Sequence, residues 1–237
     1  MKLGLSRPFH PVPAPEKADT GLRYTDILFG FVTRELFLRL QNWAHLDQAV
    51  KLHLIVGATL VLGSWIGFRR SLYRTGYQIK FFNLPLVRFL VDQSMLILYF
   101  KIAVLTPLPE AGTILISGPE AARNLAHETN RFVFYVFVLY VLWDGLGVWM
   151  ARAKIEVGTI TTRRYPVIEN SLMTDKKEVI NKRGFWITLI CCLLFGGLCL
   201  LADCFNPLPL FVATIVLLLV YRWFKEMRTS WQLLHPA

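Results

Sequence analysis

Six ionisable residues, Asp26, Arg34, Glu35, Arg88, Asp92 and Asp144, interrupt stretches of chain that are otherwise nearly free of charge. Charge is expensive in such surroundings. A central Arg or Asp in an apolar helix costs about 2.5–3.5 kcal/mol on the insertion scale, and the groups retained there mostly line ion paths, relay protons or tie helices together. Phe29, three residues after Asp26, adds an aromatic ring to the first stretch. The chemistry these types suggest is the handling of an ion in a low-dielectric interior. Helical spacing supplies some partners: Glu35 and Arg39 are four apart with the acid first, the favourable order, and Arg88 and Asp92 are four apart in the poorer one. Arg34 and Asp144 have no partner in their own stretches. A bond between Arg34 and either Asp144 or Asp92 is the simplest compensation, and a water-lined path is the functional alternative.

Other chemistries find little footing. The four cysteines, Cys191, Cys192, Cys199 and Cys204, form no CxxC pair, and no histidine stands at zinc-ligand spacing from them. Walker A, GxSxG, HExxH and EF-hand patterns are absent from the sequence. No enzyme activity, cofactor or metal is therefore expected. Thr75-Gly76-Tyr77 matches only part of a tetrameric potassium filter and lies in a basic stretch, so it carries no weight.

The elements that must position the charges are apolar runs. The chain has 237 residues, 54% hydrophobic and 14% aromatic. A membrane span needs roughly 20 mostly apolar residues, and six candidates follow a Pro-rich tail at 1–23: about 24–43, 52–68, 84–105, 132–151, 185–202 and 208–224. The expected fold is an all-α, polytopic six-span bundle over 24–224, with a cytoplasmic basic loop at 152–184 and a C-terminal tail at 225–237. The tail at 1–23 has no apolar core, so it is not expected to act as a signal peptide. At 1.5 Å per residue, Arg34 and Glu35 lie about 12–14 Å deeper than Asp26, close to the midplane. Arg88, Arg39 and Lys101 lie near span ends, where their stems can snorkel. Gly63-x-x-x-Gly67 fits the close-packing motif of membrane helices.

The net charge of +10 follows a topology. Lys and Arg crowd the tail, the second-to-third loop, the fourth-to-fifth loop and the C-terminal end, while the alternate loops hold only Lys51, Arg123 and Arg131. This asymmetry places both termini in the cytoplasm. It makes a nucleic-acid partner unnecessary and the lipid bilayer the principal one. Within the long loop, Arg163, Arg164, Lys176, Lys177, Lys182 and Arg183 are candidates for binding anionic headgroups or an acidic soluble protein, each cation being worth about 1 kcal/mol near an anionic surface. Residues 155–168 read as β-prone, and 170–175 as a break.

One resemblance bears on function. The first run reads Tyr24-Thr25-Asp26-Ile27-Leu28-Phe29-Gly30, which resembles the F-S-D-x-x-F-A signature of the lysosomal and bacterial potassium-channel family. The sequence from Trp65 to Tyr73 is similar to that family's W-x-x-H-H-R-L-F ending, with both His positions replaced. The third run closes on Pro107, as in the family. The resemblance implies six spans with cytoplasmic termini and a homo-oligomeric pore lined by the first helix. It implies helix-packing roles for Asp26 and Phe29 near the pore entrance. The chain departs from the pattern at Thr20, where the family has Arg, and at Arg34 and Glu35, since an arginine in a narrow pore repels cations. The expected function is an oligomeric channel-like or ion-coupled membrane protein, with a bacterial inner membrane as its expected location. The alternative is a non-conducting sensor, anchor or assembly subunit that recruits a partner through its basic loop.

Overall fold

A computed structural model describes residues 19–41, 43–74, 84–108, 118–161 and 169–234, with side chains described within 25–41, 43–68, 86–108, 118–149, 182–202 and 204–225. Among the described residues there are six α-helices and no strand: α1 Asp19–Leu40, α2 Gln48–Arg74, α3 Leu84–Ala103, α4 Pro119–Thr161, α5 Glu169–Leu200 and α6 Pro207–Leu234. Short 3-10 turns, Trp43–His45 and Ala202–Cys204, join α1 to α2 and α5 to α6.

The helix starts follow local chemistry. Gly118 takes φ +123 and precedes Pro119. Glycine accepts that left-handed backbone, and proline fits the first helical position because its missing N–H would find no intrahelical acceptor there. Glu120 in the first turn complements the helix dipole. Pro207 opens α6 in the same way, with the Leu210 N–H closing on the carbonyl of Asn206.

Four helices are long and apolar enough to cross a membrane: Gln48–Phe68 of α2, Pro119–Trp149 of α4, Lys182–Leu200 of α5 and Pro207–Lys225 of α6. Their outer surfaces fit that setting. Leu142, Trp149, Ile190, Leu193, Leu219 and Trp223 are large, apolar and exposed, as the lipid-facing side of a membrane helix is. Half of the α2 window is buried inside the protein, against 22% for α4 and 28% each for α5 and α6. α2 is therefore the central post, packed on α1, α3, α4 and α6, and α4 packs most extensively along α5.

The connection between the fourth and fifth runs differs from the sequence expectation. The β-prone stretch is helical to Thr161, and α5 already runs through 170–175. Continuation of an established helix adds one hydrogen bond per residue fixed, which outweighs weak strand propensities. With 43 residues, α4 is about 65 Å long, roughly twice the hydrocarbon thickness. α6 likewise continues to Leu234, through most of the expected tail at 225–237.

Candidate functional site

The six charges flagged by the sequence have separate fates. Arg39, the partner expected for Glu35, is the anchor of the first group. Its Nη1 donates to Glu35 Oε2 at 2.9 Å and to the Glu35 carbonyl at 2.9 Å, and its Nε donates to the carbonyl of Thr106 at 2.7 Å. Arg39 thus does not snorkel. Its side chain is 6% exposed, and the buried guanidinium is satisfied by the Thr106 carbonyl, just beyond the end of α3 at Ala103. Arg34 points the other way. Its side chain is 66% exposed and its Nη1 lies 3.4 Å from Glu35 Oε1. The expected bond from Arg34 to Asp144 or Asp92 is therefore not formed: Arg34 sits on the outer face of α1, with Ile27, Phe31 and Phe37, while both acids face the bundle.

Asp26 accepts a hydrogen bond from Trp65 Nε1 at 3.0 Å, which joins α1 to α2. Phe29 is buried between Phe68 and Tyr99, with ring centroids 6.1 and 6.0 Å away. Arg88 and Asp92 are both buried. The Arg88 guanidinium lies 3.7 Å from the centre of the Trp143 ring, a cation–π contact that replaces the snorkelling its position suggested. Of the basic-loop candidates, Arg163 and Arg164 lie outside the described residues, Lys176 and Lys177 fall on α5 where side chains are not described, and Lys182 and Arg183 are exposed.

Asp144 leads to the main site. Its Oδ2 accepts from Lys225 Nζ at 3.1 Å and from the Thr188 hydroxyl at 2.5 Å. Lys225 also donates to the Tyr221 hydroxyl at 2.7 Å. One turn earlier on α6, Arg222 Nη2 donates to Ser64 Oγ at 3.0 Å and to the Tyr140 hydroxyl at 3.3 Å. The hydroxyl hydrogens around Arg222 can be assigned by counting. Ser64 has one hydrogen, which goes to the Leu60 carbonyl at 2.5 Å. It then accepts from Arg222 and from Tyr140, and Tyr140 accepts from Tyr99 at 2.8 Å. The chain Tyr99, Tyr140, Ser64 runs one way and offers its oxygens to the guanidinium.

Two glycines on α2 make this possible. A methyl group on Gly63 would lie 2.6 Å from Arg222 Nε, and one on Gly67 would lie 2.9 Å from its Nη1. The Gly63-x-x-x-Gly67 stripe, expected to bring two backbones together, instead forms a slot for an arginine side chain from α6.

A cavity of about 80 Å³ adjoins this network, in the half of the bundle where α2, α4 and α6 finish. Phe29, Phe68, Met95 and Leu96 form its apolar wall, and Asp92, Trp143, Arg222 and Lys225 its polar one. In the other half, a second polar layer links His53 Nδ1 to Thr129 Oγ1 at 2.8 Å and Thr214 Oγ1 to Asn130 Oδ1 at 2.7 Å. Between the layers, α2 contributes Val56, Leu60 and Val61, α4 Val133, Val136 and Phe137, and α6 Leu218, all buried. Along α2 the gap from His53 to Ser64 is about 16 Å.

Arg222 and Lys225 are the functional candidates that sequence reasoning missed. Both count as ordinary positive-inside residues at the end of a span, the second as part of a tail. Tyr221 and Lys225 are four apart and share a helix face, which was the available signal. Ser64, Tyr99 and Tyr140 sit unflagged in apolar runs. Among the described residues no group of His, Cys, Asp and Glu is arranged to hold a metal ion. No family model, no curated protein and no solved structure matches this chain.

Proposed function

We propose that the chain is a six-span integral membrane protein with both termini cytoplasmic, and that it acts as a ligand-binding membrane component through the cavity in the cytoplasmic half of its bundle. The apolar layer carries this reading. With Val56, Leu60, Val133, Val136, Phe137 and Leu218 packed between the two polar layers, α2, α4 and α6 put no buried polar side chain there among the described residues, which opposes passage of water and ions through the interior of one chain. A solute can be held in the cavity without crossing.

α1 and α3 also fit as spans. They turn Arg39, Arg88 and Asp92 inward and present Ile27, Phe31, Val87, Leu90, Ile97 and Phe100 outward. A buried charge with protein partners does not meet lipid, so its cost in the bilayer is far below the isolated-helix value. The test is accessibility. With the native cysteines replaced, Met95→Cys, on the apolar wall of the cavity, should react with a membrane-impermeant thiol reagent from the cytoplasmic side only, and reporters at both termini should be cytoplasmic. Labelling from the opposite side would refute the proposal.

A second reading keeps the channel suggested by the resemblance, with the ion path between copies rather than through one. Its specific support is Arg34, exposed on the outer face of α1 amid Ile27, Phe31 and Phe37, since a guanidinium near the midplane that faces lipid is costly. Purified protein in a planar bilayer should then pass current that changes when a cysteine at Arg34 is modified; silence across several ions and voltages would remove this reading.

A further inference from the structure

The cavity wall is rich in hydrogen-bond donors. Lys225 has three N–H donors, of which Asp144 and Tyr221 take two. Among the described residues the partners of Arg222 are hydroxyl oxygens and the Tyr221 ring, so its charge meets dipoles there and not a carboxylate. The buried indole N–H of Trp143 has no acceptor among the described residues. All three residues line the same small cavity. The opposing charge there is limited. Asp144 is engaged by Lys225, and Asp92, on the wall, stands one turn from Arg88 on α3. Among the described residues that line the cavity, the cations are Arg222 and Lys225 and the acid is Asp92.

We propose that this cavity is a binding site for a phosphoryl-type oxyanion, held by Arg222, the third N–H of Lys225 and the indole N–H of Trp143. A bound cation would face three donors and find Asp92 alone. A carboxylate has two oxygens and would be served by the guanidinium fork by itself. A tetrahedral oxyanion can accept from all three groups at once, and arginine matches its geometry through paired N–H donors. The volume of about 80 Å³ accommodates the anion but not an attached nucleoside. The source is inorganic phosphate or the headgroup of an anionic lipid whose chains run out along the bundle. The inference rests on the cavity being the working site, as proposed above.

The experiment uses the full chain in detergent. Binding of radiolabelled inorganic phosphate is measured by equilibrium dialysis, and retention of phosphatidylglycerol against phosphatidylcholine by native mass spectrometry. Saturable phosphate binding at one per chain, weakened at least about tenfold by Arg222→Gln and by Trp143→Phe, supports a free anion. Selective retention of phosphatidylglycerol, lost in the same variants, supports the lipid source. Trp143→Phe removes the indole N–H together with its five-membered ring and keeps a six-membered ring for Arg88, so it remains a fair test where Arg222→Gln fails to fold. Absence of both kinds of binding in the wild type, or binding unchanged in Trp143→Phe, overturns the proposal. Binding of potassium or choline at the cavity without any anion would overturn the oxyanion and leave the one-sided site intact. Phosphate binding with labelling of the Met95→Cys variant from the non-cytoplasmic side would uphold the oxyanion and overturn the sidedness.

Discussion

The pairing of Asp144 with Lys225 is open to a double-mutant cycle, because each partner has a second bond that survives loss of the first. Their side chains are 11% and 28% exposed. Removing one member of a buried pair leaves an uncompensated charge and costs about 3–5 kcal/mol. The exposure of Lys225 places this pair at the lower end, about 3 kcal/mol. Asp144→Asn retains an oxygen for Thr188 but leaves the ammonium with only the Tyr221 hydroxyl. Lys225→Met fills the space of the lysine stem and leaves a carboxylate held by Thr188 alone. At about 2–4 °C per kcal/mol for a chain of this size, each single variant should lower the unfolding midpoint by about 6–12 °C. The double variant buries neither charge and should lie within about 5 °C of wild type, a coupling of about 2 kcal/mol or more. The midpoint can be followed in micelles with a thiol-reactive dye once the partly exposed Cys199 and the exposed Cys204 are replaced by serine, since Cys191 and Cys192 are buried and should become reactive on unfolding. Single shifts that simply add in the double variant would refute the pair.

Other variants probe the remaining contacts. Gly63→Ala should cost about 1–3 kcal/mol by overpacking the arginine slot, whereas Gly30→Ala, with nothing within 4 Å of its added methyl, should leave the midpoint unchanged or slightly raised; equal effects would contradict the slot. Arg39→Ala strands Glu35 and the Thr106 carbonyl and should destabilise by about 2–4 kcal/mol in the same thermal assay. Arg34→Ala should change the midpoint of the isolated chain by less than about 0.5 kcal/mol, as an exposed surface pair does, so a large loss would mean that Arg34 is held by something beyond Glu35. Tyr140→Phe removes the oxygen shared by Tyr99, Ser64 and Arg222 and should cost about 1–3 kcal/mol, read from the same dye.

The parts of this architecture legible in the sequence were those governed by a single helix. The apolar runs of α2, α4, α5 and α6 announce themselves by length, and the Glu35–Arg39 pair by its spacing of four. Asp144 stood out because an acid in an aromatic run has no bland use. Its partner did not, because a lysine at the end of a span looks like every other positive-inside residue, and contacts between α4 and α6 leave no periodic mark in either. The same reason concealed Ser64, Tyr99 and Tyr140: a hydroxyl in an apolar run becomes meaningful only when a cation from another helix arrives beside it. Arg34 erred in the opposite direction, since its charge attracted a partner on paper while the helix face on which it lies points away from Asp92 and Asp144 and leaves it only its neighbour Glu35 among the described acids.

The bond from Arg39 to the carbonyl of Thr106 spans 67 residues, and this separation sets a timetable for biogenesis. At about 5–20 residues per second, α1 emerges from the ribosome roughly 3–13 s before its acceptor exists. During that interval the guanidinium has only Glu35 for company, and α1 alone lacks the hydrophobicity to reside comfortably in lipid. On the six-span reading proposed above, the first three helices are best delivered to the bilayer as one unit, with α1 lodged at the insertion machinery or the headgroup layer until the end of α3 arrives. A nascent chain arrested shortly before residue 106 should leave α1 extractable by mild alkali, and one arrested well beyond it should not.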